Sequence, residues 1–433
     1  MPSKTIVLAM LNESGHLNPS YKLAKALKAR GHDVRYLASE DVRAQIEAQG
    51  LAVEPLYPEL FPAGLLAEDE RLGTLAKRRA ITRRYGALLE RLSIEPPLDA
   101  TRVRPSLMLI DVTQTQIALW AHAARVPFVY INTSLPQTRD VGVPPLRSAL
   151  PYGSDLLGRA RAELAWRKFI TKRRLGARAA LLVGLAPPYA LAARHAARFG
   201  VRARALDTET AYMPQLRDVP ELVLCAEAYD FPRPRRAERY HVESIDLERR
   251  EASLDEGSLP LDRPLVYCSL GGQRYRGGDT PAFFARLLRV FAARPSYHLL
   301  LTLGKHTTRE ALGALPHNVT VMTFAPQLAI LRRAAAMITH GGLGSVKECI
   351  THGVPMVVCP LDVDQPGNAA RVEHHGIGLR CDVRSSSESE LLGLLDRVLL
   401  EPSFRERCAA LQQRFAELER ERPGVAIVER FLR

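Results

Sequence analysis

Two rhythms alternate along the first third of the chain. TIVLAML, DVRYLA, LMLI at Leu107 to Ile110 and PFVYIN at Pro127 to Asn132 are short apolar runs that predict strands. Leu17 to Ala29 and about Asp41 to Gln49 repeat apolar residues at helical spacing, and a further helix is predicted between LMLI and PFVYIN. This alternation predicts a parallel sheet with helices on both faces. A second series of the same kind follows: PLVYCSL, a helix from Pro281 to Ala293, then YHLLLTL, NVTVMTF, AMITH and PMVVCP. Between the two series, FPRPRRAERYHVESIDLERREASLDEG is dense in proline and charge and poor in periodicity, which reads as an interdomain linker. The fold class is therefore α/β, with two doubly wound domains over residues 1–232 and 259–402 and a linker over 233–258. Helices without strands over 403–433 close the chain and are free to pack back on the first domain. A ligand is expected in the cleft between the carboxyl ends of the two sheets. Residues 60–100 and 135–180 are helix-prone, rich in arginine and read as insertions.

Length agrees with this division, since 433 residues exceed a comfortable single core. Charge adds a question. Sixty basic against 47 acidic residues leave a net +13, which would suit an anionic ligand, a membrane surface or nucleic acid. The basic residues are spread along the chain, with no zinc-finger spacing and no RNP-like aromatic cluster, so nucleic acid is disfavoured. Cys225, Cys268, Cys349, Cys359, Cys381 and Cys408 form no C-x-x-C pair and most sit in apolar runs. They read as buried free thiols in a reducing compartment. MPSKTIVLAMLNESGH has no cleavage motif and reads as a first strand. ALLVGLAPPYALAA is interrupted by Pro187-Pro188 and is too short to span a bilayer. A cytoplasmic protein without stable membrane insertion is expected. The Arg-rich segment RARAELAWRKFITKRR could touch a membrane peripherally or be a solvated helix face.

The candidate chemistry starts at ITHGGLGSVKECITHG, where the strand AMIT ends in His340 and three glycines lead into a helix at about Ser345. A helix N-terminus presents unpaired N–H groups and a positive dipole, so Gly342, Gly344, Ser345 and His340 suit a diphosphate. No Gly-Lys-Ser/Thr follows, which disfavours a P-loop. The competing reading is a capping box, Ser345-x-x-Glu348, which leaves His340 and the glycines without a cause. Three more segments face the same cleft. Asp364 and Gln365 stand at the turn after PMVVC and could hold a polyhydroxylated ligand, or simply begin a helix with Pro366. Ser269 and Gly271 follow PLVYC. Phe324 and Gln327 follow NVTVM and could offer an aromatic face and an amide to a base. Asp362 and Asp364 resemble a metal-binding pair, but no further ligand set accompanies them.

Together these residues resemble the family-1 nucleotide-sugar glycosyltransferases of the GT-B fold, particularly bacterial enzymes acting on macrolides and carotenoids. The resemblance covers roughly Leu265 to Leu379 and is strongest over THGGLGSVKECITHGVPMVVCPLDVDQPGNAARV; in the first domain it rests on GHLNPSYKLAKALKARGHDVRYLA and the strand ending at Asp111. It implies two Rossmann-like domains facing across a cleft, the first binding acceptor and the second the nucleotide sugar. His340 and the backbone of Gly342 to Ser345 would bind the diphosphate, Glu348 the ribose, Phe324 and Gln327 the base, and Asp364 and Gln365 the sugar. Phe324 stands where many members have a tryptophan, which bears on the choice between uracil and thymine. His16, read as a loop histidine before a helix start at Asn18-Pro19, matches the general base, and Asp111 the carboxylate that orients it; Asp111 also reads as a strand-end cap.

The expected activity is hexosyl transfer, with inversion, from a UDP-sugar (glucose first) to a hydroxyl of a lipophilic natural product. No metal or other cofactor is required on this reading. Phe61, Leu65, Leu66 and Trp166 are the candidate acceptor contacts. The alternatives are a non-catalytic nucleotide-sugar or lipophile carrier, and a dTDP-deoxysugar transferase acting on a lipid or carotenoid.

Overall fold

The computed structural model describes residues 3–99, 101–243, 245, 262–271, 280–304 and 307–432. The first domain carries β1 (Thr5–Ala9), β2 (Asp33–Ala38), β3 (Ala52–Pro55), β4 (Leu107–Asp111) and β5 (Phe128–Asn132). The short strands β6 (Leu206–Asp207) and β7 (Gln215–Leu216) form a separate two-stranded ribbon, and β8 (Glu221–Val223) and β9 (Arg239–His241) follow. The main sheet has the order β3-β2-β1-β4-β5-β8-β9, with every neighbouring pair parallel. Its helices are α1 (Ser14–Ala29), α2 (Arg43–Glu47), α3 (Leu65–Arg71), α4 (Thr74–Leu92), α5 (Thr115–Ala123), α6 (Leu156–Leu182) and α7 (Pro188–His195). Ile6 and Leu8 face Leu17, Tyr21 and Leu27 of α1 on one side of the sheet. Val7 and Ala9 share the other side with Leu88 of α4 and Ile117 of α5, as the two-residue period of a strand dictates.

The second domain repeats the plan with β10 (Leu265–Ser269), α8 (Thr280–Ala292), β11 (His298–Thr302), β12 (Val319–Met322), α9 (Gln327–Leu331), β13 (Ala336–Thr339) and α10 (Leu343–Thr351). It continues with β14 (Met356–Val358), α11 (Gln365–His375), β15 (Gly378–Arg380), α12 (Glu388–Leu400), α13 (Pro402–Glu421) and α14 (Pro423–Arg430). The sheet order is β12-β11-β10-β13-β14-β15, again all parallel. Among the described residues no helix is long and apolar enough to cross a membrane.

Three features differ from the sequence reading. The stretch read as a linker contains β9, which completes the first sheet through Glu221 and Arg239, so that sheet extends to His241. Residues 244 and 246–258 of that linker lie outside the described residues. The chain's end returns to the first domain: Ile427 and Val428 of α14 join the core of α1, and Glu429 pairs with Arg30 and His32. Four cysteines are buried and free, but Cys359 and Cys381 are joined in a disulfide between the ends of β14 and β15. Adjacent parallel strands bring their side chains together there, which spacing along the chain does not reveal.

The two domains meet through an apolar layer, where Leu135, Val223 and Tyr229 pack with Leu343, Val346, Ile350 and Ala369. Two buried cations fasten it. Lys347 of α10 donates to the Leu224 carbonyl at 2.6 Å. Arg371 of α11 pairs with Asp230 at 2.6 Å and lies 4.1 Å over the Phe231 ring. Removing one partner from such a buried pair costs about 3–5 kcal/mol, because the other charge is stranded. The amino ends of α10 and α11 are thus held towards the first domain.

Candidate active site

Strand order reverses between β1 and β4 in the first sheet and between β10 and β13 in the second. Side chains at the carboxyl ends of those strands meet at the switch points, where open α/β sheets bind ligands. His16 follows β1 and Asp111 ends β4. Helix α1 begins at Ser14, so His16 stands in its first turn and not in a loop, and Pro19 lies within the helix. His16 Nδ1 lies 2.7 Å from Asp111 Oδ2 and 2.9 Å from Thr133 Oγ1. The Nδ1 proton is committed to the carboxylate, leaving Nε2 as the imidazole's base atom. Asp111 is fully buried, and its other oxygen accepts from the Thr113 amide at 2.8 Å and hydroxyl at 2.7 Å. Burial pushes the Asp111 pKa up, but His16 and the Thr113 donors more than offset this and hold it below the ordinary carboxylate range. For His16, burial pulls the pKa down and the Asp111 carboxylate overrides it. With Glu13 and Asp364 adding, the imidazole is pushed up to about 9.

On the opposite side, α10 begins at Leu343 with Gly342 as its N-cap and no side-chain cap. Ser345 lies inside the first turn, so the capping box does not form. Its hydroxyl instead accepts from Gln327 Nε2 at 3.1 Å, and the same nitrogen donates to Glu348 Oε2 at 2.6 Å. The glycines have distinct causes. Gly271 (φ +80°) and Gly342 flank the His340 ring: a Cβ at Gly271 would lie 2.9 Å from Cε1, and one at Gly342 2.6 Å from Nε2. Gly341 (φ +82°) is closed by Val358. At Gly344 an added Cβ would meet nothing within 4 Å. Burial pulls the His340 pKa down to about 4, partly offset by a hydrogen bond with the Ser269 backbone, so the ring is neutral near pH 7. It acts as a hydrogen-bonding group rather than a cation.

The loop after β14 closes the site. The Gln365 side chain is buried, and its Oε1 accepts from the Leu361 amide at 2.8 Å and the Asp362 amide at 3.0 Å. The loop is thus folded around the Gln365 side-chain oxygen. Asn368 Nδ2 donates to the Gly341 carbonyl at 2.9 Å and to Asp364 Oδ2 at 3.1 Å, coupling this loop to the glycine turn. Ser134 approaches Asp364 at 3.4 Å and Arg147 pairs with Asp362 at 2.7 Å, both across the cleft. Burial raises the Asp364 pKa. Phe324, 65 % exposed after β12, presents an open aromatic face.

The expected acceptor residues separate. Phe61 and Leu65 pack into or against the first-domain core, and Leu66 is exposed. Trp166 is buried and donates Nε1–H to the Val143 carbonyl at 2.8 Å, so it anchors α6 and offers no face to a ligand. One turn on, Phe169 lines a small cleft with Gln137, Leu146, Arg147, Tyr212 and Asp364. A larger cavity of about 480 Å³, lined by Leu92, Val103 and Trp120, opens at the amino ends of β4 and β5 and contains none of the site residues. Thr133, Ser134 and Asn368 were not expected. Thr133 and Ser134 follow β5, next to β4, and the strand-end rule applied there would have found them.

Residues 305–423 match the model of the family described as UDP-glucoronosyl and UDP-glucosyl transferase. A 4'-demethylrebeccamycin synthase of Lentzea aerocolonigenes is 25% identical over 98% of both chains. A zeaxanthin glucosyltransferase of Pantoea ananas is 25% identical over 92% of this chain and 89% of its own. The crystal structure of the glycotransferase of kitacinnamycin superposes with a TM-score of 0.72 at 24% identity, covering 100% of both chains. Residues 305–423 are thus similar to the UDP-glucoronosyl and UDP-glucosyl transferases, and the whole chain has the GT-B fold.

Proposed function

We propose that this protein is a glycosyltransferase that moves a sugar, glucose first, from a UDP-sugar to a hydroxyl of a lipophilic natural product, by a single displacement that inverts the anomeric carbon. The observation that carries the reading is the His16–Asp111 pair at one switch point facing the amino end of α10 at the other. His16 Nε2 takes the acceptor proton, the acceptor oxygen attacks C1, and the nucleoside diphosphate leaves. Asp111 keeps the proton on Nδ1 and stabilises the imidazolium that forms. The α10 amides, the Ser345 hydroxyl and His340 stabilise charge growing on the leaving phosphate. Phe324 and Gln327 are the base contacts, Glu348 the ribose contact and Asp364 with Gln365 the sugar contacts. The relatives named 4'-demethylrebeccamycin synthase and zeaxanthin glucosyltransferase support a natural-product acceptor. The His16–Asp111 pair favours an enzyme over a carrier.

The test is product identification by mass spectrometry, with UDP-glucose and dTDP-glucose each offered with hydrophobic acceptors, in the presence and absence of EDTA. Glucoside formation from UDP-glucose that persists in EDTA is the expected result. Loss of turnover in EDTA with recovery on adding a divalent cation would refute the helix-terminus account of leaving-group stabilisation.

Gly344 gives a sharper check. Glycine within a helix costs about 1 kcal/mol against alanine, and no atom of the described residues explains it here. Gly344→Ala is expected to keep or raise Tm while the donor KM rises roughly tenfold, since a phosphate approaching the backbone meets the new methyl group. An unchanged KM would mean that the diphosphate lies elsewhere.

A further inference from the structure

The 27-residue helix α6 has two opposite faces, and both carry apolar residues. Ala162, Trp166 and Ile170 are buried on the inner one. On the outer one Leu157, Leu164, Leu175 and Leu182 are 57 %, 67 %, 59 % and 88 % exposed. Successive members of this set stand roughly two, three and two turns apart, so they fall on one line about 38 Å long, directly opposite the buried face. Arg161, Lys168 and Lys172 flank the line on one side and Arg167, Arg174 and Arg178 on the other. Glu163 is the only acid of the helix. Among the described residues Arg161, Lys168, Lys172 and Arg178 take part in no ion pair.

We propose that α6 is an interfacial helix that seats the enzyme on an anionic bilayer. Four leucines in water with no cover are unfavourable, and a protein partner would have to bury the cations beside them. A bilayer surface accepts both at once: leucines enter the acyl boundary while arginine and lysine stay among anionic headgroups. The length and orientation suit a helix lying in the membrane plane. The same helix gives Phe169 of its inner side to the cleft beside Asp364, so docking brings the acceptor cleft within about one helix diameter of the lipid. A lipophilic acceptor dissolved in the bilayer would then be delivered locally. This delivery step rests on the proposed transfer reaction; the docking itself does not.

The experiment is co-sedimentation of the purified full-length protein with vesicles of equal parts phosphatidylglycerol and phosphatidylcholine, and with pure phosphatidylcholine. Wild type is expected to pellet with the anionic vesicles, to remain in solution with the neutral ones, and to be released in part by salt. Replacing Leu157, Leu164, Leu175 and Leu182 together by serine should lower the vesicle partition coefficient about tenfold or more. Circular dichroism, Tm and transfer to a water-soluble acceptor should not change. R161E/K168E/R178E is the second variant and should abolish the preference for anionic lipid. Wild type that stays in the supernatant with anionic vesicles overturns the proposal. So does a wild-type dimer that the leucine variant converts to monomer without changing vesicle binding, which would assign the face to a second copy of the chain.

Discussion

Purified His16→Ala is expected to lose transfer by about 10³-fold while its Kd for UDP stays within about twofold of wild type. The two readouts separate because the residue stands on the first domain's side of the cleft. It touches Asp111 and Thr133, and none of the groups around the α10 amino end depends on it. The acceptor hydroxyl then has to lose its proton to water, and the general-base contribution disappears with the imidazole. Truncation removes a partly exposed side chain, so the fold should survive. The remaining partner is a buried carboxylate that keeps its two Thr113 donors. Calorimetric UDP binding alongside initial rates checks both halves. A variant with wild-type rate would remove His16 from the mechanism, and one that loses UDP binding would place it in the donor site instead.

Much of this arrangement is legible in the sequence, because the signals are local. Runs such as TIVLA and LVYCS are parallel strands buried at four of their five positions, and the glycines at 341, 342 and 344 break an otherwise regular strand-to-helix step. The second domain reads more clearly than the first because its central strands β10, β11 and β14 are mostly apolar and buried. What failed to show was non-local. Strand β8 is three residues long, and β9 lies in a charged stretch; both are set by pairing along one edge, with Arg239 and Glu221 matched across the ladder. The capping pattern at Ser345 and Glu348 was a true sequence signal overridden by Gln327, which arrives from another strand end. Trp166 looked like a ligand platform because nothing in its neighbours says which face of a 27-residue helix turns inward. The leucine line on α6 was hidden by the same ambiguity. Helical periodicity fixes which residues share a face, and only packing decides which face is covered.

Asp111→Asn is expected to move the pH dependence of kcat/KM and to lower its plateau, in opposite directions of apparent benefit. In wild type the imidazole is protonated below about pH 9, so the base form, and with it kcat/KM, should rise about tenfold per pH unit from pH 6 to 8 and level off above about 9. The carboxylate is what holds the proton there; burial acts the other way. With asparagine in its place, the remaining raising influences are the more distant Glu13 and Asp364, and burial lowers the pKa. The acid limb must therefore shift to lower pH. Asparagine can leave the proton on the wrong nitrogen and does not balance the imidazolium formed in the transition state, so the plateau drops, by analogy with triad variants of this kind by up to about 10⁴-fold. The deficit relative to wild type is then greatest above about pH 9 and shrinks as pH falls, because wild type loses its base form over a range in which the variant keeps it. An acid limb that stays near pH 9 in Asp111→Asn would show that another group sets the profile.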